Sequence, residues 1–274
     1  VCNVFGNWVL MYGNFGVPAM GAVGCGLASA ISIWIMAIAL GLHVLRGSRY
    51  KPLKILSVFE SIRLPQIREL LALGLPIAIM ITAESGLFSA VAILTGTISA
   101  EIAAAHQIAI NFASTTFMIP LALSSATTVR VGHALGAGDY AGARLSGWIG
   151  IGSCGVFMLA AATFMLLFRD VVVDLYTNDV SVKVIAISML LMAAIFQVAD
   201  GVQIGAAGAL RGYKDARVPM VINTFAYWVL AFPLAYLAAV TFRAPPQFIW
   251  GGFVVGLVVA ASLLSLRYRM ISSR

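Results

Sequence analysis

Val184–Leu210 reads VIAISMLLMAAIFQVADGVQIGAAGAL, and a single charged residue, Asp200, interrupts it. A helix rises 1.5 Å per residue, so about 20 apolar residues cross ~30 Å of hydrocarbon, and this stretch is longer than that. A strand of a membrane barrel would instead alternate apolar and polar residues over ~10 positions, and no such alternation is present. The stretch reads as a membrane-crossing helix.

The same pattern repeats in both directions along the chain. Runs with few or no charges cover Leu70–Ser99, Ile102–Val129, Leu145–Phe168, Val218–Phe242 and Ala244–Leu266, and Val1–Leu45 has no Asp, Glu, Lys or Arg. Gly13, Asn14, Gly16 and Pro18 break that first run. Val1–Tyr12 is therefore expected to end one helix, and a complete one to follow at about Pro18–Leu42. The expectation is an all-α, polytopic membrane bundle of seven complete helices preceded by the tail of an eighth. Val1 is not an initiator Met, and the chain opens inside an apolar run without a charged signal region, so it reads as a fragment lacking its N-terminal portion. Composition agrees with the class. The chain is 61% hydrophobic and 10% charged, against about 25% charged in soluble domains, and a soluble fold so poor in charge would expose large apolar patches.

The net charge of +7 raises the question of an anionic partner, and the placement of the charges answers it. One set of connections holds Arg46, Arg49, Lys51, Lys54, Arg63, Arg68, Arg130, Arg144, Arg211, Lys214, Arg217, Arg267, Arg269 and Arg274; the alternate set holds only Arg169, Lys183 and Arg243. This asymmetry predicts a cytoplasmic first set and C-terminus, rather than nucleic-acid binding. The longest connection, 43–69, marks a boundary between two bundles with room for a surface helix. The division is then 1–42, a 43–69 cytoplasmic linker, and 70–274.

Only Glu84 and Asp200 place charge inside the apolar runs. Counting ~1.5 Å per residue from the cytoplasmic ends puts them roughly 20 and 15 Å deep. An intramembrane acid costs at least ~2.5–3.5 kcal/mol on the insertion scale, which makes each a functional candidate; the alternative is a protonated acid bonded between helices. Burial favours the neutral acid, and two like charges close together favour protonating one of them. A carboxylate near that balance can exchange a proton for a cation. Ser85, Gln107, Asn111 and Gln203, with Asn3 and Asn7 on the truncated helix, could line the same cavity or bond helices together. Asn3 and Asn7 are spaced i, i+4 and share a face. Phe88 and Phe196 each lie one turn from an acid, where aromatic faces suit a lipophilic cation or serve packing.

Other residues carry less. Cys2, Cys25 and Cys154 share no metal-ligand spacing and read as packing residues. His106 is a proton relay or, more simply, a packing histidine, while His43 and His133 fall at cytoplasmic connections. The glycine-rich Val131–Gly138 lacks the Lys-Ser/Thr ending of a P-loop and reads as a tight loop. Pro76, Pro120 and Pro233 are expected to kink or break their helices. Trp148 and Trp250 fit interfacial belts; Trp228 lies deeper, with no role assigned.

Four stretches together resemble the multidrug and toxic compound extrusion (MATE) family, in its bacterial NorM-like branch. They are Gly74-Leu-Pro-Ile-Ala followed by Glu84; Ala104-Ala-His-Gln-Ile-Ala-Ile-Asn111; Val129-Arg-Val-Gly132 with Leu135-Gly-Ala-Gly-Asp139; and Asp200-Gly-Val-Gln203 with Gly208-Ala-Leu-Arg-Gly-Tyr-Lys-Asp215. The resemblance implies two six-helix lobes around a central cavity, of which this chain holds the end of helix five, helix six and the complete second lobe. Glu84 and Asp200 match the acidic positions of the second-lobe cation site, which implies binding of H⁺ or Na⁺, with no other cofactor. Some members carry a tyrosine one turn before the helix-ten aspartate; here Phe196 stands in that position, leaving out one Na⁺ ligand. The expected activity is antiport of amphipathic organic cations across the bacterial inner membrane, by a multi-pass protein whose partners are its small-molecule substrates, the bilayer and the first lobe. A lipid-linked precursor flippase is the alternative, disfavoured because every Lys and Arg lies outside the apolar runs. A membrane-embedded enzyme would need paired catalytic aspartates in other contexts, or a metal or Ser-His-Asp set, and neither pattern is present.

Overall fold

The computed structural model describes residues 2–47 and 63–273, and among them helix is the only regular secondary structure. The helices are α1 (Cys2–Leu10), α2 (Gly21–Arg46), α3 (Leu64–Ile98), α4 (Ala100–Gly136), α5 (Tyr140–Leu167), the short α6 (Arg169–Asp174), α7 (Val180–Gly212), α8 (Arg217–Phe225), α9 (Phe232–Tyr236) and α10 (Gln247–Ser272). The wider π-helical turns Ala226–Ala231 and Leu237–Thr241 join α8 to α9 and extend α9, so 217–241 is one span. Among the described residues, seven helical segments are long and apolar enough to cross a membrane, as expected for a multi-pass membrane protein.

The chain forms two compact units, Val1–Arg63 and Leu64–Arg274. In the first, α1 and α2 form a hairpin closed at Gly13, whose φ of 76° is a left-handed conformation that disfavours a side chain. The two helices touch closely at Gly24, where a Cβ would lie 2.4 Å from the Leu10 carbonyl oxygen. The expected 43–69 connection is largely outside the described residues. At its edges α2 runs on through Arg46 and α3 starts at Leu64, with Pro65 in the opening turn, where a missing N–H costs little.

In the second unit α7 is the central post, packed against α4, α5 and α10. Membrane helices have no hydrophobic drive towards each other, so small residues that let backbones approach hold them together. Gly201 and Gly208 do this for α7. A Cβ on Gly201 would sit 2.8 Å from the Cys154 carbonyl oxygen of α5, and one on Gly208 2.6 Å from the Ser124 carbonyl oxygen of α4. Caps set the helix starts: Ser99 Oγ accepts from Ile102 N, Asp139 Oδ1 from Gly142 N, and Asp179 Oδ1 from Ser181 N. Ser99 is also the whole connection between α3 and α4.

Several local expectations change. Val131–Gly138 is mostly helix, because α4 continues to Gly136 and the turn begins only at Ala137, with Gly138 at φ 75°. Pro76 and Pro120 sit within α3 and α4, which continue past them. Pro233 lies between the two π-helical turns, where extra residues per turn absorb the missing donor. Trp250 is not interfacial but wholly buried, its ring 5.6 Å from both His106 and Phe196. His106 is buried with it, which matches the packing reading.

Candidate functional site: an apolar cavity with two carboxylates

Between α3, α4 and α7 lies a cavity of about 310 Å³. Glu84 enters it from α3 and Asp200 from α7, so the two acids expected at similar depth face one space. Asp200 lies within the charge range of Glu84. Asp200 is 5% exposed, held in place because Gly201 presses its turn of α7 onto α5. Ser85, Phe88 and Phe196 also line the cavity. The Ser85 hydroxyl donates back to the Ile81 carbonyl oxygen at 2.9 Å, which satisfies it within its own helix. Phe88 and Phe196 meet edge to face at 6.2 Å, forming one aromatic wall that continues into Phe253.

The other expected site residues are elsewhere. Gln203 is buried behind the cavity, its amide Nε2 donating to the Tyr227 hydroxyl. Gln107 and Asn111 are exposed on α4, and Asn111 Oδ1 accepts from the Tyr176 hydroxyl at 2.9 Å. Asn3 and Asn7 belong to the first unit, where Asn7 Nδ2 donates to Asn3 Oδ1 at 3.0 Å and Asn3 Nδ2 to Ser29 Oγ at 3.1 Å. The bond to Ser29 ties α1 to α2, and the one from Asn7 stays within α1. Among the described residues no group of three or more His, Cys, Asp or Glu comes together, so the acidic donors at the cavity are the two carboxylates alone.

Among the residues that the sequence did not mark for the site, Arg211 lines the cavity, and Trp228 and Tyr227 act beside it. Arg211, the expected cytoplasmic-end arginine, turns its side chain into the cavity, where Nη2 donates to Ser124 Oγ at 2.8 Å. The expectation that every Lys and Arg stays outside the apolar interior is therefore corrected: a long side chain can return what its Cα position leaves out. Trp228 Nε1 donates to the Ala83 carbonyl oxygen at 3.2 Å, and its ring lies against Gly86, so it pins the turn of α3 that carries Glu84. Tyr227 is fully buried within the charge range of both acids. Tyr227 and Trp228 share the first π-helical turn, a geometry frequent at functional sites. A deep Trp needs a partner for its N–H, and that was the one available sequence signal for Trp228.

The MatE family model matches residues 76–237. The chain is 45% identical over 268 residues to the probable multidrug resistance protein NorM of Xanthomonas campestris pv. campestris, a match that covers 98% of this chain and 58% of that protein. It is 42% identical over 265 residues to the multidrug resistance protein PmpM of Pseudomonas aeruginosa, covering 95% of this chain and 56% of that one. The chain thus spans somewhat over half the length of the curated relatives it matches. Its fold matches a crystal structure of the eukaryotic MATE transporter AtDTX14 with a TM-score of 0.87 at 24% identity, over 99% of this chain and 61% of that one. Helix order, fold and shared sequence lead to one conclusion: the chain belongs to the MatE family.

Proposed function

We propose that this chain is the second-lobe part of a secondary antiporter of the bacterial inner membrane, which exports amphipathic organic cations in exchange for H⁺ or Na⁺. The observation that carries this is the meeting of Glu84 and Asp200, from different helices, in one largely apolar cavity. An aromatic wall and two acids suit a lipophilic cation, and the same acids, when they take up H⁺ or Na⁺, no longer attract it. Competition for one pair of carboxylates couples the two fluxes. The names of the relatives, multidrug resistance proteins, support export of foreign compounds rather than an enzymatic role. The residues 1–42 and 70–274 then belong to the first and second lobes, with a cytoplasmic linker at 43–69, and the basic asymmetry supports a cytoplasmic C-terminus.

Arg211 gives the flippase reading a cavity cation for a phosphate-bearing headgroup. The two carboxylates outnumber it, which favours a cationic substrate. The test is dye efflux from liposomes holding the intact transporter, under an imposed pH or Na⁺ gradient. Glu84→Gln and Asp200→Asn should each reduce gradient-driven efflux to background at matched protein levels. Undiminished efflux in both variants would overturn the assignment.

A further inference from the structure

Helices α4 and α5 pack against each other and are joined by the short turn 137–139. Along them run two spaces, of about 330 and 400 Å³, that open into one another, because Arg130, Gly142 and Ser146 line both. The first lies at the turn and is polar, with His133 and Asp139 in its wall. The second follows the helices past Leu145 and Ile149 to Ser153. Leu145 and Ile149 are 61% and 58% exposed, so this is an outer, lipid-facing groove and not part of the carboxylate cavity. Tyr140 and Arg144 are exposed beside its polar end, residue types that mark a membrane interface. From Asp139 to Ser153 the groove follows fourteen residues, about 21 Å of helix. Half of a ~30 Å hydrocarbon core is ~15 Å, so the groove starts at headgroup level and reaches through one leaflet.

Arg130 stands where the polar and apolar parts meet. Arg169, Lys183, Lys214 and Arg267 each meet a carboxylate, and Arg211 a hydroxyl, but Arg130 makes no hydrogen bond or ion pair among the described residues. The acid in the groove is already used: Asp139 Oδ1 accepts from Gly142 N at 2.7 Å and caps α5. The Ser146 hydroxyl also has no partner among the described residues, whereas those of Ser85, Ser125, Thr163 and Ser262 donate back into their own helices. A guanidinium is permanently charged and carries five donors, in a fork that fits phosphate. An unpaired cation at the head of an apolar groove complements an anionic head on a hydrocarbon tail. We propose that the groove between α4 and α5 holds one anionic phospholipid, its phosphate on Arg130 and Ser146 and an acyl chain along Leu145 and Ile149. Basic pockets between membrane helices bind such headgroups. A soluble phosphate would leave the apolar half uncovered. The lipid site is separate from Glu84 and Asp200 and does not depend on the antiporter reading.

Native mass spectrometry of the intact transporter, delipidated in detergent micelles, tests the inference. The probes are phosphatidylglycerol, which carries a net negative charge, and phosphatidylethanolamine, whose ammonium offsets its phosphate. The wild-type protein should bind its first phosphatidylglycerol about fivefold more tightly or better, the effect of one arginine near an anionic lipid. Arg130→Gln should bring the two lipids within about twofold of each other. Arg269→Gln, which removes the same charge from α10 outside the groove, should leave the preference unchanged. Ile149→Trp, at an exposed position, fills the apolar half and should weaken phosphatidylglycerol about threefold with Arg130 intact. Equal binding of the two lipids by the wild-type protein overturns the inference, even if Arg130→Gln fails to fold. So does a full preference in folded Arg130→Gln, or an equal loss in Arg269→Gln, which would mark a diffuse field. Displacement of the lipid by glycerol phosphate would make the site one for a soluble anion. Dimers that Arg130→Gln dissociates, with the lipid count unchanged, would give the groove to a second copy of the chain. Either result overturns the lipid assignment.

Discussion

The helices α2 and α7 have almost the same mean hydropathy, 2.1 and 2.2, yet 11% of the most apolar stretch of α2 is buried against 44% of that of α7. Hydropathy measures fitness for lipid, and both helices have it. What distinguishes α7 is an acid, two buried glutamines, Gln197 and Gln203, and glycines set against two neighbouring helices, α4 and α5. A polar group in hydrocarbon must find a protein partner, and a glycine lets that partner's helix come close enough to supply one. In a membrane, the polar and the small residues mark the inside.

The strongest way to break this comparison is at the acids. Combining Glu84→Gln with Asp200→Asn should lower gradient-driven efflux by the intact transporter little further than either change alone, because residues acting as one unit are non-additive. Efflux kinetics that multiply the two single losses would show two independent sites. Insertion should survive, since an amide is cheaper to bury than a charge.

Glycines come next. Gly208→Ala forces a Cβ into the Ser124 backbone and should cost about 1–3 kcal/mol, the usual penalty of overpacking. Gly26→Ala and Gly41→Ala on α2 meet nothing within 4 Å and should be neutral, or stabilising by up to ~1 kcal/mol through helix propensity. Reversible unfolding of the purified chain in mixed micelles checks both; equal costs on the two helices would erase the distinction.

A smaller effect is expected where Ser29 of α2 meets a polar side chain of α1. Asn3→Leu removes the bonds to Ser29 and Asn7 and should cost about 0.6 kcal/mol, up to ~1.7, the measured range for such bonds between membrane helices. The same unfolding experiment reads it.

The smallest effect belongs to the solvated end of the second unit. Lys214, in the turn between α7 and α8, donates to the Glu69 carboxylate at 2.8 Å, with both side chains exposed. That hydrogen bond, together with the carboxylate's charge, holds the ammonium's pKa above its ordinary value. A raised value stabilises the fold below the unfolded lysine's pKa, and the contribution disappears as pH rises through the folded one. Glu69→Gln should therefore bring the Lys214 titration down, as followed by NMR of a carbon-labelled lysine. The unfolding midpoint near pH 8 should hardly move, because exposed pairs contribute little.

The sequence by itself determined the class, the seven spans and the two acids worth mutating. Hydrocarbon thickness and the cost of burying charge act on residues one by one, so a run of apolar letters and an isolated carboxylate announce themselves without any partner. Phe88 and Phe196 followed from helical spacing alone, and both line the cavity. The rest was decided by tertiary structure. Ser124 and Arg211 are 87 residues apart, and Trp228 and Ala83 are 145 apart; no local period encodes either pairing. Trp250 has the composition of an interfacial residue and the burial of a core one because α4, α7 and α10 close around it. Arg211 reads from its number as a cytoplasmic-end charge. Only the hydroxyl offered by a neighbouring helix turns its head into the cavity, because the last atoms of a long side chain go where a partner is, not where its Cα lies.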